Sequence, residues 1–287
     1  MPTRARTLAL LGASGAVARP LLARAQTAPI RIGGSTSESY GQPYYALDGG
    51  FFAKAGVNAD IARFANAGVI AQACAGNALY STDAPTTVMI ADKNGPIRTA
   101  KDLEGKTVGI AALGSLSDLA VRAWIDTNGG DLAKVKFVEG PPTALPAMML
   151  RGNMAAAFVT DVNLSDVIND VRIIGKAYDA IAKRFFISCW FTTRDWLAKN
   201  PDAAHRLYGA IDESARWVNA HPAESGAILA KRGGLTLERI QTMHRNQFQA
   251  ALDLRYCEPV VAAGITYKII EKPIRTADLI ARQVATT

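Results

Sequence analysis

Residues 105–124 read GKTVGIAALGSLSDLAVRAW, and the predicted fold follows from this stretch. The apolar run at 108–112 has the length of a buried strand and is bounded by glycines. Ser115 or Ser117 then begins a helix, because a side-chain oxygen at the N-cap accepts a free first-turn N–H. The glycines at 129–130 end that helix, since glycine readily adopts the left-handed conformation of a helix C-cap. The stretch therefore predicts a strand, a loop of small residues and a helix.

The loop before this helix is a candidate anion site. A helix N-terminus carries unpaired N–H groups and the positive end of the helix dipole, so it can bind an anionic ligand group. Ser115 and Ser117 would add hydroxyl groups, and Asp118 lies in the first turn, where the dipole favours a negative charge. The alternative is a well-capped crossover helix that binds no ligand.

The first 25 residues have the pattern of an export signal. Arg4 and Arg6 form a basic start, residues 8–17 an apolar middle, and residues 23–25 (Ala-Arg-Ala) a small-x-small cleavage site. No later segment approaches the run of about 18 apolar residues that a membrane-spanning helix needs. The sequence therefore predicts a signal peptide at 1–25 and an exported, periplasmic mature protein.

The charge of the mature chain is nearly balanced. The whole chain carries +7, but four of its 32 basic residues lie in the first 25 residues, which contain no acidic residue. The remainder has 28 basic and 25 acidic groups and no run of five basic residues, so nothing indicates a nucleic-acid partner. With 287 residues, 49% of them hydrophobic, the chain has room for about two lobes.

The three cysteines, Cys74, Cys189 and Cys257, are far apart in the sequence and form no Cys-x-x-Cys pair. The three histidines are scattered as well. A zinc site or a redox dithiol has closely spaced ligands, so we expect no metal and no cofactor. An odd number of cysteines in an oxidising compartment leaves at least one thiol free or paired between chains, and we expect buried, inert cysteines.

Apolar runs alternate with helical patterns along the mature chain. Strands are predicted at 29–34, 61–64, 86–91, 108–112, 134–138, 155–159, 172–175 and 186–192. Helices are predicted at 67–75, 144–150, 202–219, 222–231 and 236–252. Because strands alternate with helices, the pattern predicts an α/β fold with a mainly parallel sheet.

Four segments resemble the substrate-binding proteins of ABC transporters. They are IRIG at 30–33, GFFAKAGV at 50–57, PIRTAKDLEGKTVG at 96–109 and LRGNMAAAF at 150–158. The similar branch of that family includes sulfonate, taurine and nitrate receptors and the thiamine-pyrimidine synthases. The resemblance covers nearly the whole mature chain, and residues 102–108 are its most distinctive part.

The resemblance implies a type 2 periplasmic-binding-protein fold, in which two α/β lobes enclose a ligand cleft. It implies lobe one at 26–93 plus 192–287 and lobe two at 94–191, with crossings near 92–97 and 186–193. Loops at the carboxyl ends of parallel strands face such a cleft. The predicted ligand-binding residues at such ends and at the start of the lobe-two helix are Ser35, Thr36, Ser37, Ser115, Ser117, Thr160 and Asp161. Tyr80, Thr82 and Asp83, which precede the strand leading out of lobe one, are predicted to line the cleft as well.

Two features depart from the family's pattern. Gly76 is followed almost directly by Tyr80, where relatives have a further strand and helix, so lobe one is predicted to be shortened. The Asp-Ile-Gly or Asp-Val-Gly motif, which lines the cleft of relatives, is absent together with that strand and helix. The Glu-Pro pair found after the lobe-two strand in many relatives is Asp-Val at 161–162 here, which keeps a carboxylate but loses a rigid turn.

The resemblance implies an exported receptor rather than an enzyme. We expect it to capture a small polar or anionic organic solute, which is sulfonate-, nitrate- or pyrimidine-like, by lobe closure. It would act as a monomer and deliver the solute to an ABC permease in the inner membrane. The shortened lobe leaves open a truncated ligand-binding or sensory remnant without a transport role. A thiamine-pyrimidine-synthase-like enzyme is a weaker alternative, because that branch carries a dense cysteine cluster and this chain has none.

Overall fold

A computed structural model describes residues 29–34, 38–63, 78–81, 87–164, 166–249 and 253–279. Its strands are β1 (Ile30–Gly34), β2 (Ala59–Arg63), β3 (Ala78–Ser81), β4 (Thr87–Asp92), β5 (Thr107–Ile110), β6 (Lys136–Glu139), β7 (Ala156–Thr160), β8 (Val171–Gly175), β9 (Arg184–Ser188) and β10 (Gln247–Phe248). Its α-helices are α1 (Gln42–Asp48), α2 (Phe51–Lys54), α3 (Leu116–Thr127), α4 (Leu145–Leu150), α5 (Asp161–Leu164), α6 (Arg194–Lys199), α7 (Pro201–Ala220), α8 (Pro222–Gly233), α9 (Leu237–Thr242) and α10 (Glu258–Thr266). None of these helices is long and apolar enough to cross a membrane.

Several sequence predictions lie outside the described residues. They are the signal peptide at 1–25, the helix at 67–75, and the candidate site residues Ser35, Thr36, Ser37, Thr82 and Asp83.

A parallel pair, β1 and β2, begins the described chain, with Ile32 opposite Ile61. Helices α1, α2 and α7 pack with this pair around one apolar cluster, and its buried side chains include Ile32, Phe52 and Ile211. The strands predicted at 29–34 and 61–64 thus form, the second of them two residues earlier than expected.

The largest sheet has five strands in the order β6-β5-β7-β4-β8. Strand β5 runs parallel to β6 and β7, whereas β4 runs antiparallel to β7 and β8. The prediction of a mainly parallel sheet is therefore wrong for β4, because an apolar run predicts a strand without its direction. β4 precedes the lobe boundary predicted between residues 93 and 94, although its hydrogen bonds make it part of this sheet.

Both faces of the five-stranded sheet are buried. Along β4, Met89 and Ala91 belong to the cluster that contains Trp124 of α3. Val88 and Ile90 belong to the cluster on the opposite face, which α4 covers. A strand buried on both faces has a continuous apolar sequence instead of an alternating one. This explains why 86–91 and 155–159 were recognisable as strands.

Gly109 allows α4 and Met154, which lies just before β7, to pack closely on β5. A Cβ atom at this position would lie 2.2 Å from the Met154 sulfur and 3.0 Å from a methyl carbon of Leu145. The glycine of the distinctive TVG phrase is therefore required by packing on the sheet.

The third sheet is antiparallel and has the order β10-β3-β9. Its β10 overturns the prediction of one helix over 236–252, because the helix α9 ends at Thr242 and the chain becomes extended. The Asn219 side chain bonds both the N–H (3.0 Å) and the carbonyl of Phe248. Burial of Phe248 and this pairing stabilise the strand, and neither is visible in the local sequence.

Candidate functional site

The ends of four strands meet at one edge of the five-stranded sheet. Strand β5 is parallel to β6 and β7, so their carboxyl ends lie together. The antiparallel β4 begins at this edge, with Thr87 opposite Thr160. Ser115 and Ser117 follow β5 in the loop and first turn of α3. We call Thr87, Ser115, Ser117 and Thr160 the polar edge; it contains three of the predicted site residues.

The two serines of the polar edge bond to each other and to the loop before them. Ser115 is at the N-cap position of α3, but its hydroxyl donates to the Ala112 carbonyl (2.6 Å), so the predicted side-chain cap is wrong. The Ser117 oxygen accepts the Ala111 N–H (3.2 Å) and lies 2.7 Å from the Ser115 oxygen. Because the one Ser115 proton is used, Ser117 is the donor between them. The Ser115 oxygen keeps one acceptor position for a ligand.

Two carboxylates hold the backbone of the same loop. Asp118 accepts the Gly114 N–H (2.9 Å) and pairs with Arg122 (2.7 Å). Glu139, at the end of β6, accepts the Leu113 N–H. Asp118 is the third residue of α3 and reaches back past the N-cap, as in a capping box. A carboxylate therefore already occupies the positive end of α3, and an anionic ligand at this loop would compete with it.

Thr87 is a polar-edge residue that the sequence analysis missed. It is 5% exposed, and its hydroxyl has no hydrogen-bond partner among the described residues. The Thr160 hydroxyl, by contrast, accepts a side-chain N–H from Asn163 (3.0 Å). A buried polar group without a partner costs about 1–3 kcal/mol, which makes Thr87 a candidate ligand contact. No sequence signal marked it, because it lies in the apolar run at 86–91.

A second polar group, the Glu38 cluster, consists of Glu38, Ser39, Arg245 and Asn246. Glu38 and Ser39 directly follow the predicted ligand-binding residues 35–37 in the sequence. Arg245 donates to one carboxylate oxygen of Glu38, and the backbone N–H of Asn246 donates to the other (2.9 Å). The Asn246 side chain also donates to the Ser39 hydroxyl (3.1 Å). The sequence analysis missed this cluster, because its members come from opposite ends of the chain.

The protonation states of the Glu38 cluster are fixed by its surroundings. Burial disfavours the charged guanidinium, yet the pKa of Arg245 is raised overall, because Glu38 and Tyr45 outweigh that penalty. Burial, followed by the charge of Glu38, raises the pKa of Tyr45 well above its ordinary value. Arg245 therefore stays charged and Tyr45 stays neutral, so the ion pair with Glu38 persists over the ordinary pH range.

The residues at the end of β9 contact Ser39 of the Glu38 cluster and Gln42 of α1. The Ser188 hydroxyl donates to the Ser39 carbonyl (3.0 Å), and the Trp190 indole donates to the Gln42 side-chain oxygen (2.8 Å). The segment predicted as a crossing at 186–193 is thus attached to the residues that follow β1.

The remaining predicted residues lie apart from each other. Tyr80 is in β3, opposite Phe185 of β9 in the three-stranded sheet. Asp161 begins α5 directly after Thr160, next to the polar edge at the end of β7. Within the described ranges, no three His, Cys, Asp or Glu side chains converge as a metal site would require.

The sequence profile of NMT1/THI5-like proteins matches residues 77–225, which is more than half of the chain. The chain belongs to the NMT1/THI5-like family. This membership, together with the structural matches below, confirms the resemblance found in the sequence. No curated protein sequence is similar enough to match.

Solved structures share the fold of this NMT1/THI5-like chain. The periplasmic aliphatic sulphonate binding protein SsuA from Escherichia coli superposes with a TM-score of 0.67 at 16% identity, over 88% of this chain and 92% of SsuA. The periplasmic nitrate-binding protein NrtA from Synechocystis PCC 6803 gives 0.69 at 15% identity, over 88% and 86%. The desulfurization enzyme DSZB gives 0.64 at 14% identity, over 88% and 97%. These likenesses establish the two-lobed α/β fold, which binding proteins and an enzyme share.

Proposed function

We propose that this NMT1/THI5-like protein is a solute-binding receptor for a small polar or anionic organic molecule. The polar edge carries the proposal, since it collects four hydroxyl side chains where strands end, the usual ligand position in open α/β sheets. The buried hydroxyl of Thr87 is the most specific feature, because a ligand could supply the partner that the described residues do not.

The hydrogen bonds of the polar edge favour one orientation of the ligand. Both serine protons are used within the chain, and the Gly114 and Leu113 N–H groups already bond carboxylates. A ligand therefore meets the Ser115 oxygen as an acceptor and the Asp118 carboxylate as a negative neighbour. We assign a donor group of the solute, such as a hydroxyl or amide, to this loop and any anionic end to another part of the cleft.

Lobe closure is the proposed mechanism of capture. We propose the division predicted from the sequence, 26–93 plus 192–287 for lobe one and 94–191 for lobe two, with β4 moved to lobe two on the basis of its pairing. The cleft would lie between the polar edge and the segment after β1, which includes the predicted residues Ser35, Thr36 and Ser37. Contacts of the solute to both lobes would stabilise the closed state.

The proposed setting is the periplasm. The leader pattern at 1–25 supports export, and we propose that the mature chain works as a monomer that delivers its solute to an ABC permease in the inner membrane. Periplasmic proteins such as SsuA and NrtA share the fold, which is consistent with this setting.

A thermal-shift screen of the exported protein against sulfonates, nitrate, carboxylates and pyrimidines tests the proposal. A ligand at 100 times its Kd should stabilise the protein by about 2.7 kcal/mol. Recovery of the unchanged solute supports a receptor, whereas its conversion would support an enzyme, as DSZB is. A screen in which no solute stabilises the protein would contradict the receptor.

Thr87→Val gives the sharpest site test, because it removes the buried hydroxyl and keeps the shape. We expect the Tm of the free protein to stay the same or rise, while the ligand-induced shift becomes smaller. Thr266→Val is the matched control, since that hydroxyl bonds only a carbonyl of its own helix α10. An equal ligand-induced shift in both variants would remove Thr87 from the site.

A further inference from the structure

Cys189 and Cys257, far apart in the sequence, are neighbours in the fold. Cys189 follows Ser188, the last residue of β9, and Cys257 lies between the short 3-10 helix Leu254–Tyr256 and α10. Both thiols are free and half-buried, and each shifts the pKa of the other, which is raised for Cys189 and lowered for Cys257. The sequence predicts buried, inert cysteines, and in the fold the segments that carry these two are adjacent.

Aromatic contacts fix the two segments independently of the cysteines. The Phe186 and Tyr256 rings pack edge to face with their centroids 5.8 Å apart. The Arg184 guanidinium lies 5.3 Å from the centroid of the Tyr256 ring. The end of β9 and the turn before α10 are therefore held together by residues on the N-terminal side of each cysteine.

Both segments contact the core of the five-stranded sheet. Phe185 of β9 is buried in the apolar cluster against which Val260 of α10 packs. The exit of β9 is also bonded to the region after β1 through Ser188 and Trp190, and Tyr267, at the end of α10, donates to Asp126 of α3 (2.8 Å). A covalent bond between the thiols would therefore fix the exit of β9 to α10 at a contact that the fold already makes.

We propose that Cys189 and Cys257 form a redox-closable pair whose disulfide ties the exit of β9 to α10. This proposal concerns a modification site and holds whether or not the protein binds a solute. Its oxidant is a disulfide compound, such as oxidised glutathione or a dithiol oxidase of an oxidising compartment.

Cys257 is the attacking residue. The Cys189 thiol donates to its sulfur, which lowers the pKa of Cys257 and increases its thiolate fraction. The Cys257 thiolate attacks one sulfur of oxidised glutathione, which forms a mixed disulfide and releases one glutathione. The neighbouring Cys257 sulfur and burial raise the pKa of the Cys189 thiol. Its proton passes to the released glutathione thiolate, and the Cys189 sulfur attacks Cys257 and releases the second glutathione. The pair loses two electrons and two protons, and the glutathione disulfide becomes two thiols.

Peptide mapping of the native full chain tests the bond. The protein is incubated with oxidised glutathione or with a reductant, alkylated and digested with trypsin, which places the three cysteines in peptides 64–93, 185–194 and 256–268. We expect peptides 185–194 and 256–268 to be linked after oxidation, with the loss of two hydrogens. Complete alkylation of both cysteines after oxidation, or linkage of either one to peptide 64–93 instead, would overturn the proposal.

Cysteine variants test the structural tie. Oxidation should raise the Tm of the wild-type protein and of Cys74→Ser by several degrees, because the bond closes a long loop. Cys189→Ser and Cys257→Ser, which keep the size of the side chain, should show no oxidation-dependent shift. A linked wild-type protein with an unchanged Tm, or an equal shift in Cys189→Ser, would rule out the tie.

Discussion

Glu38 and Arg245, 207 positions apart in the sequence, form an ion pair whose carboxylate is almost fully buried. The second oxygen of Glu38 accepts the backbone N–H of Asn246, so both carboxylate oxygens accept a hydrogen bond. This arrangement anchors the residue that follows the predicted ligand loop at 35–37 to the segment before β10. Glu38 is therefore held in place by a contact between distant parts of the chain.

Arg245→Met is predicted to destabilise the protein by about 3–5 kcal/mol, because it leaves the Glu38 charge buried without its partner. Chemical denaturation measures the loss. Arg275→Met is the matched control, since the Arg275–Asp278 pair is exposed and should contribute at most about 1 kcal/mol. Adding Glu38→Gln to Arg245→Met should recover part of the loss. Equal costs for Arg245→Met and Arg275→Met would show that the buried pair has no special role.

The sequence predicts the strands of this fold better than its polar clusters. Runs such as 155–159 are recognisable because a strand buried on both faces needs apolar residues throughout. The loop around Ser115 and Ser117 was recognisable because glycines and hydroxyls bound a helix start. Both signals are local, and each could be read in a window of a few residues.

Long-range pairings explain what the sequence did not predict. The sequence near Arg245 does not indicate that Glu38 is its partner. The segment from Thr236 to Phe248 has no glycine or proline that would mark the end of the helix. The break at Thr242 depends on Asn219 and on pairing with β3, which are distant in sequence. Thr87 was missed for a related reason, because only the folded structure shows that its hydroxyl is buried without a described partner.

The hydrogen bond between Tyr267 and Asp126 predicts an alkaline loss of stability. Burial, followed by the bond to Asp126, raises the pKa of Tyr267 to about 12. In the unfolded chain this tyrosine titrates near pH ~10. Its contribution is therefore complete below about pH 10 and is lost as the pH rises toward about 12, since the unfolded state ionises first.

Tyr267→Phe separates this effect from other titrations. At neutral pH the variant should be less stable by about 0.5–1 kcal/mol, as expected for a partly exposed hydrogen bond. The difference from wild type should shrink between about pH 10 and pH 12, measured by denaturation at each pH. A difference that stays constant over this range would contradict the assignment.

The leader pattern at 1–25 predicts processing after Ala25. Mass spectrometry of protein recovered from the periplasm of an expressing bacterium should find Gln26 at the N-terminus, because the Ala-Arg-Ala sequence at 23–25 fits signal peptidase. Ala25→Arg places a large charged residue at the cleavage site and should retain the leader. Unprocessed wild-type protein confined to the cytosol would contradict both the leader and the proposed transport role.

Ser115→Ala and Ser117→Ala should have different effects on stability. Ser117 is 6% exposed, and its loss leaves the Ala111 N–H without its acceptor, so the free protein should lose about 1–3 kcal/mol. Ser115 is less buried; its loss removes the bond to the Ala112 carbonyl and the acceptor of the Ser117 proton, and should cost about 0.5–1.5 kcal/mol. The Tm of each free variant, compared with wild type, measures this difference.

Their effects on binding test the polar edge itself. With the solute that the thermal-shift screen identifies, Ser115→Ala should weaken binding, because it removes the acceptor that faces the ligand's donor group. Calorimetry should show a loss of about 0.5–1.5 kcal/mol for a neutral partner and about 1.5–3 kcal/mol for a charged one. Ser117→Ala should lower both affinity and Tm, since its proton orients the Ser115 oxygen. If neither serine changes affinity by a factor of about two, or ~0.4 kcal/mol, α3 is only a scaffold element and the ligand does not contact this loop.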